Sequence, residues 1–159
     1  MADAALHSEP AGRSRELGSG IIEEGRHRLP IRVYYEDTDA GGIVYYASYL
    51  RFAERARTEM LRLAGIEQDR LRAESGLSLA VRSCAVDFLK PARLDDRLDI
   101  VSQVSALGGA SLVAAQDVFC GANLLARLSV RLACIGRSGR AVRLPLFLRA
   151  ALEPFSSTA

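Results

Sequence analysis

The feature that most restricts the fold is one long amphipathic helix standing alone among β-patterned segments. Tyr49, Phe52, Ala53, Ala56, Met60, Leu63 and Ala64 fall at i, i+3, i+4, i+7, i+11, i+14 and i+15, which defines a single apolar face. Arg51, Glu54, Arg55, Arg57, Thr58, Glu59 and Arg62 occupy the remainder, with Arg55–Glu59 and Glu54–Arg57 at pairing distance along the axis. Ser48 is placed to cap the start and Gly65 to stop the end. Ala53 and Ala56 are small, so this face can lie close against a sheet.

Around that helix the pattern has period two. Ile31, Val33 and Tyr35 alternate with Arg32, Tyr34 and Glu36, which predicts a strand broken at Asp37 to Gly42. Asp69 to Ser75 predicts a further short helical turn. A long apolar run from Leu77 to Leu89 follows and ends at Lys90-Pro91. Leu98 to Ala106, Leu112 to Cys120 and Leu124 to Ile135 predict three more strands, joined at Gly108-Gly109 and at Gly121-Ala122-Asn123. Gly136 to Gly139 is a third turn, and Pro145 to Leu152 suits either a short closing helix or a final strand. One helix cannot cover both faces of such a sheet. The order therefore predicts an α+β fold with the helix in the sheet's concave face and another subunit against the other face. Residues Met1 to Arg28 lack a sustained apolar period and read as a mobile extension, with the folded domain running over 29–159.

Composition narrows the function by exclusion. The net charge of +2 is too weak to indicate nucleic-acid binding. Cys84, Cys120 and Cys134 have no metal-ligand spacing and read as buried free thiols. No run approaches the ~20 apolar residues of a membrane-spanning helix, and the start lacks signal-peptide features, which predicts a cytoplasmic protein. Lys90 is the only lysine among 21 basic residues, a bias attributable to codon usage or to phosphate recognition by arginine. Both histidines, His7 and His27, fall in the expected extension. That argues against Ser-His-Asp and Cys-His hydrolases and against a histidine-ligated metal; G-x-S-x-G and the phosphate-loop motif are absent too.

Any catalyst here must use carboxylates, hydroxyls or backbone dipoles. The strand-to-helix junction offers them. Asp39 stands beside Gly41-Gly42 a few residues before the helix, where unpaired backbone N–H groups can polarise a carbonyl. A carboxylate there can act as general base toward water or as a nucleophile. Residue pattern alone is equally satisfied by Asp37 or Asp39 merely stabilising a turn before glycine.

The segment Arg32-Val33-Tyr34-Tyr35-Glu36-Asp37-Thr38-Asp39-Ala40-Gly41-Gly42-Ile43-Val44-Tyr45-Tyr46-Ala47-Ser48-Tyr49 runs into Glu54-Arg55-Ala56-Arg57-Thr58-Glu59-Met60-Leu61. Together with Pro91-Ala92-Arg93-Leu94-Asp95-Asp96 and Gly109-Ala110-Ser111-Leu112, it resembles the 4-hydroxybenzoyl-CoA thioesterase family. The nearer resemblance is to the Tol-Pal-associated, YbgC-like acyl-CoA thioesterase branch. This resemblance implies a hotdog fold, hydrolysis of an acyl-CoA thioester without metal or other cofactor, and active sites at the interface of a homodimer or a dimer-of-dimers tetramer. It places the catalytic carboxylate on Asp39 rather than Asp37 and the carbonyl-polarising amide near Tyr46. Thr38, Gly42, Tyr45 and Ser111 become substrate-binding positions, the first two by shaping the loop. Tyr49 suits a pocket wall or the core. Arg127 and Arg131 could meet a CoA phosphate, and Glu54 an arginine. One departure is that the Tol-Pal-associated branch commonly carries His where this chain has Tyr46. Two readings compete with hydrolysis: a hotdog dehydratase, which needs a core histidine, and a non-catalytic subunit binding acyl-CoA or acyl carrier protein beside an envelope complex.

Overall fold

The computed structural model describes residues 18–157. Six strands form one antiparallel sheet: β1 (Ile21–Glu23), β2 (Arg26–Arg32), β3 (Ser78–Phe88), β4 (Arg97–Leu107), β5 (Ser111–Cys120) and β6 (Asn123–Ile135). Their spatial order is β1-β2-β4-β5-β6-β3. The long helix α1 (Ser48–Leu63) lies across one face, followed by α2 (Gln68–Ser75), and α3 (Leu146–Leu152) closes the chain. This is the expected α+β hotdog arrangement, a helix wrapped by an antiparallel sheet.

Alternation decides which face meets the helix. Leu98, Ile100 and Val104 of β4, Leu112, Ala114 and Val118 of β5, and Ala126, Leu128 and Val130 of β6 are all buried. They meet Tyr49, Phe52, Ala53, Ala56 and Met60 of α1 in one core. Ala53 and Ala56 have no exposed surface, and a β5 side chain, Gln116, reaches the Ala53 carbonyl oxygen at 2.9 Å. The small residues therefore set the close approach of helix to sheet.

Buried polar groups lie inside that interface. Arg57 is only 8% exposed and donates to Gln116 Oε1 at 2.8 Å. Gln116 in turn donates to Ser102 Oγ at 2.8 Å. Burial lowers the Arg57 pKa, offset in part by Glu54. Arg57 thus leaves the polar stripe to which periodicity assigns it, because its stem can run beside Ala53 and Ala56 while Gln116 receives its head. The expected helix pairs are replaced: Glu54 accepts from Thr58 at 2.8 Å and Glu59 pairs with Arg62 at 2.6 Å.

Several sequence-based boundaries move. The domain does not begin at Leu29, because β1 and the start of β2 place residues 21–28 in the sheet; residues 1–17, including His7, lie outside the described residues. Glu24 and Gly25, both at positive φ, form the tight turn between these strands. His27 faces the core with no exposed surface. β2 ends at Arg32 rather than Glu36, and Tyr35–Asp37 winds into a 3-10 turn. Ser48 is the first helical residue rather than the cap; Ala47 caps α1 without a side-chain bond. Gly65 does supply the expected stop at φ 81°. Pro145 to Leu152 resolves as helix. Of the three free cysteines only Cys134 is buried; Cys120 is half-buried, and Cys84 is exposed because β3 is a sheet edge. No described helix is long and apolar enough to cross a membrane.

Candidate active site

Two carboxylates flank Thr38 and have opposite environments. Asp37 is 5% exposed. Its Oδ2 accepts from the Tyr34 N–H at 2.8 Å, and Arg51 stands 3.8 Å from its Oδ1. Its carbonyl accepts from the Tyr45 N–H at 2.8 Å and from the Ser48 hydroxyl at 3.3 Å. Asp37 therefore fastens the loop to the start of α1.

Asp39 is exposed. Its Oδ1 accepts from the Gly41 N–H at 2.8 Å, and its backbone exchanges bonds with Ile43 and Gly42. This is an Asx turn, made possible by Gly42 at φ 77° and flanked by the Thr38–Val44 bridge. One carboxylate oxygen is thus oriented, while Oδ2 has no protein donor among the described residues. The Thr38 hydroxyl turns away to the Tyr35 carbonyl at 2.8 Å, so Thr38 shapes the loop.

Asp39 opens on a cleft of about 510 Å³. It is lined by Ile43, Val44, Tyr45, Tyr46 and Tyr49 from the loop and the start of α1, and by Phe88, Leu89, Lys90 and Pro91 from the end of β3 and the turn after it. Four of these lining residues are aromatic. Phe88 meets Tyr49 and Tyr46 edge-on, with centroids 5.5 and 6.4 Å apart. Tyr49 is buried, and its hydroxyl accepts the Ala92 N–H at 3.1 Å, which ties the Pro91-Ala92 corner to the helix. Burial raises the Tyr49 pKa, and that hydrogen bond partly opposes the rise. The Tyr45 phenol is also raised, first by the adjoining Tyr46 hydroxyl and more weakly by the Asp39 charge. Both rings stay neutral near pH 7.

The backbone entering α1 leaves N–H donors open beside this cleft. The Tyr46 and Ala47 N–H groups meet no backbone carbonyl among the described residues, whereas those of Tyr45 and Ser48 on either side are bonded at 2.8 Å. An open N–H at a helix start carries partial positive charge. The same cleft is thus lined by Asp39, with a free carboxylate oxygen, and by Tyr46, with an open backbone N–H. The Tyr46 side chain is 60% exposed and contributes a wall rather than a held polar group.

A family model of the thioesterase-like superfamily matches residues 33–152. The chain belongs to that superfamily. Among its relatives, the acyl-CoA thioester hydrolase YbgC of Escherichia coli O6:H1 is 49% identical over 109 residues, 68% of this chain and 81% of that one. The acyl-CoA thioesterase YbgC of Haemophilus influenzae is 44% identical over 107 residues, 67% and 79% of the two chains. The crystal structure of a probable thioesterase from Bartonella henselae superposes with a TM-score of 0.73 at 36% identity, covering 76% of this chain and 99% of that one.

Within this thioesterase-like chain the structure gathers Asp39, Tyr45 and Tyr46 around one cleft, with Thr38 and Gly42 shaping its loop. It does not bring Ser111 there: Ser111 begins β5, and its carbonyl accepts the Gly108 N–H at 2.8 Å. Arg127 and Arg131 lie exposed on β6, and Arg127 pairs with Asp117 at 3.0 Å. Asp95 and Asp96 hold a turn, Asp96 accepting the Arg93 N–H at 2.8 Å. Sequence reasoning missed the wall formed by Phe88, Leu89 and Lys90. Its only local signal was a sole lysine before proline at the end of an apolar run.

Proposed function

We propose that this protein hydrolyses acyl-CoA thioesters to a carboxylic acid and free CoA, with Asp39 as its catalytic carboxylate. The observation that carries the reading is the single cleft shared by the open Asp39 oxygen and the open N–H at Tyr46. The YbgC relatives, named as acyl-CoA thioesterases, support the same substrate class. The thioester carbonyl oxygen accepts the Tyr46 N–H, which stabilises the negative charge that grows on it. Asp39 either takes a proton from attacking water or attacks the carbonyl itself to form an anhydride that water then cleaves. In both routes one water is consumed overall and the thiolate leaves with the electron pair of the broken C–S bond; in the second, the acyl carbon first gains an oxygen of Asp39, and water restores the carboxylate when it cleaves the anhydride. The aromatic walls exclude water from the acyl group.

The working unit in this reading is at least a homodimer joined along β3. Eleven residues of β3 form an edge strand, and Val81, Phe88 and Leu89 on and beside it are each more than half exposed. A second β3 would satisfy that edge and roof the cleft that Phe88 and Leu89 line.

Release of free thiol from a panel of short, long and aromatic acyl-CoAs tests the assignment. Asp39→Asn should remove most turnover and leave the unfolding midpoint in place. An Asp39→Asn protein as active as the parent would sink it.

A further inference from the structure

Lys90 stands apart from every other basic residue of the chain. Twenty of the 21 are arginines, and no arginine lines the Asp39 cleft. The one lysine does. Two backbone bonds fix its position just past β3, since Leu89 and Lys90 both donate to the Leu125 carbonyl, at 2.8 and 3.0 Å. Its ammonium donates to Asn123 Oδ1 at 3.1 Å at the start of β6. That partner is neutral, and no carboxylate of the described residues lies within 4.0 Å of the Lys90 nitrogen.

A cation held by one neutral amide retains donors for a ligand, because an ammonium carries three. The surrounding walls are apolar, with Phe88, Leu89 and Pro91 beside it. Lys90 is itself exposed, so its ammonium is open to a ligand arriving from solvent. The only other charged group lining the cleft is Asp39, of opposite sign and on the loop before α1. The cleft thus has one negative pole, which acts on the thioester, and one positive pole with no assigned task.

We propose that Lys90 binds an anionic group of the substrate away from the reacting carbonyl, making charge on the thioester a determinant of specificity. This rests on the hydrolase reading above. The anion is either a carboxylate at the far end of the acyl chain or a phosphate of the CoA moiety; the recognition chemistry is shared.

Four esters separate the sources: glutaryl-CoA, pentanoyl-CoA, and the N-acetylcysteamine esters of the same two acids, which lack phosphate. They are compared by kcat/KM on the full chain, on Lys90→Met and on Lys90→Arg. A charge-assisted hydrogen bond corresponds to about a tenfold or greater preference. If the acyl carboxylate is the ligand, Lys90→Met lowers the glutaryl-to-pentanoyl ratio by that factor with both carriers. If phosphate is the ligand, it lowers the CoA-to-cysteamine ratio for both acids instead. Lys90→Arg, which keeps the charge, retains most of the preference in either case. Equal loss on all four esters, or no change on any, overturns the proposal. Should the parent protein cleave none of them, the hydrolase reading fails. Calorimetric titration of the same esters onto the parent and Lys90→Met then decides Lys90 by the same two ratios.

Discussion

The two edges of the sheet are finished in opposite ways. At the β1 edge the strand is only three residues long, and the chain before it is tied inward. Ser19 is 5% exposed; its hydroxyl donates to Glu59 of α1 at 2.7 Å, and its carbonyl lies 2.7 Å from His27 Nε2. At the β3 edge an eleven-residue strand is exposed along most of its length, and its end forms a wall of the Asp39 cleft. One edge spends its polar groups on internal bonds and short length, which blunts it against association. The other leaves backbone and aromatic surface open. The blunted edge and the edge that borders the candidate site are thus the two ends of one sheet.

That contrast is most sharply tested at the open side. Asp39→Asn should lower kcat/KM by about 10²–10⁴-fold, the range of a lost acid–base group, with no shift in the urea midpoint. Asp37→Asn should do the reverse in emphasis. Its carboxylate holds the Tyr34 N–H and faces Arg51, so the variant should lose about 1–3 kcal/mol of stability, as when a buried charged acceptor is weakened. Denaturant titrations of both proteins beside their turnover rates check the pair, and equal destabilisation would erase the distinction.

At the closed side the expected effects are on stability alone. Gly20 sits at φ 78°, and a Cβ there would meet the Arg28 carbonyl oxygen and the His27 ring. Gly20→Ala should therefore destabilise by about 1–3 kcal/mol, the scale of a strained non-glycine residue, while thioester hydrolysis per folded molecule stays constant. Thermal melts with activity assays on the surviving fraction read both quantities.

The smallest effect is a pH dependence. His27 is buried, its Nδ1 has no partner among the described residues, and desolvation holds its pKa below the ordinary 6.5 despite the Ser19 carbonyl and the Glu59 charge. A lowered histidine pKa means that the unfolded chain binds the proton more readily. The contribution is fully present above pH 6.5 and is lost as pH falls from there through the folded value. Comparing unfolding midpoints across pH 7.5 to about 5, His27→Gln should show a shallower decline than the parent. An identical slope would remove His27 from the account.

The helix shows how much of the fold could be read from residue order. Its apolar face from Tyr49 to Met60, its Gly65 stop and the four long strands after it are where period 3.6 and period 2 put them, because burial imposes those periods; in the last turn Leu61 is buried instead of the expected Leu63, which is exposed. Arg57 and Gln116 escaped the same rule. Gln116 falls in register with Leu112, Ala114 and Val118, yet a polar type in an apolar register gives no sign of what it will meet. Its partners lie on α1 and β4, 59 and 14 residues away. The first strands were misplaced because Ile21 to Glu23 is short and exposed and leaves almost no period to detect.

Within the candidate site, sequence determined the ingredients: an Asp beside paired glycines, at a break between a strand and a long helix, in a chain without the histidines of other hydrolases nearby. Local turn chemistry and helix capping are short-range, so neighbouring residue types suffice to announce them. Tertiary structure decided what each ingredient faces. It turned Asp37 inward and Asp39 outward, brought Phe88 and Lys90 to the same cleft, and kept Ser111 at a different turn. Those outcomes depend on contacts tens of residues apart, set by how the sheet curls around α1, and no local pattern encodes such a distance.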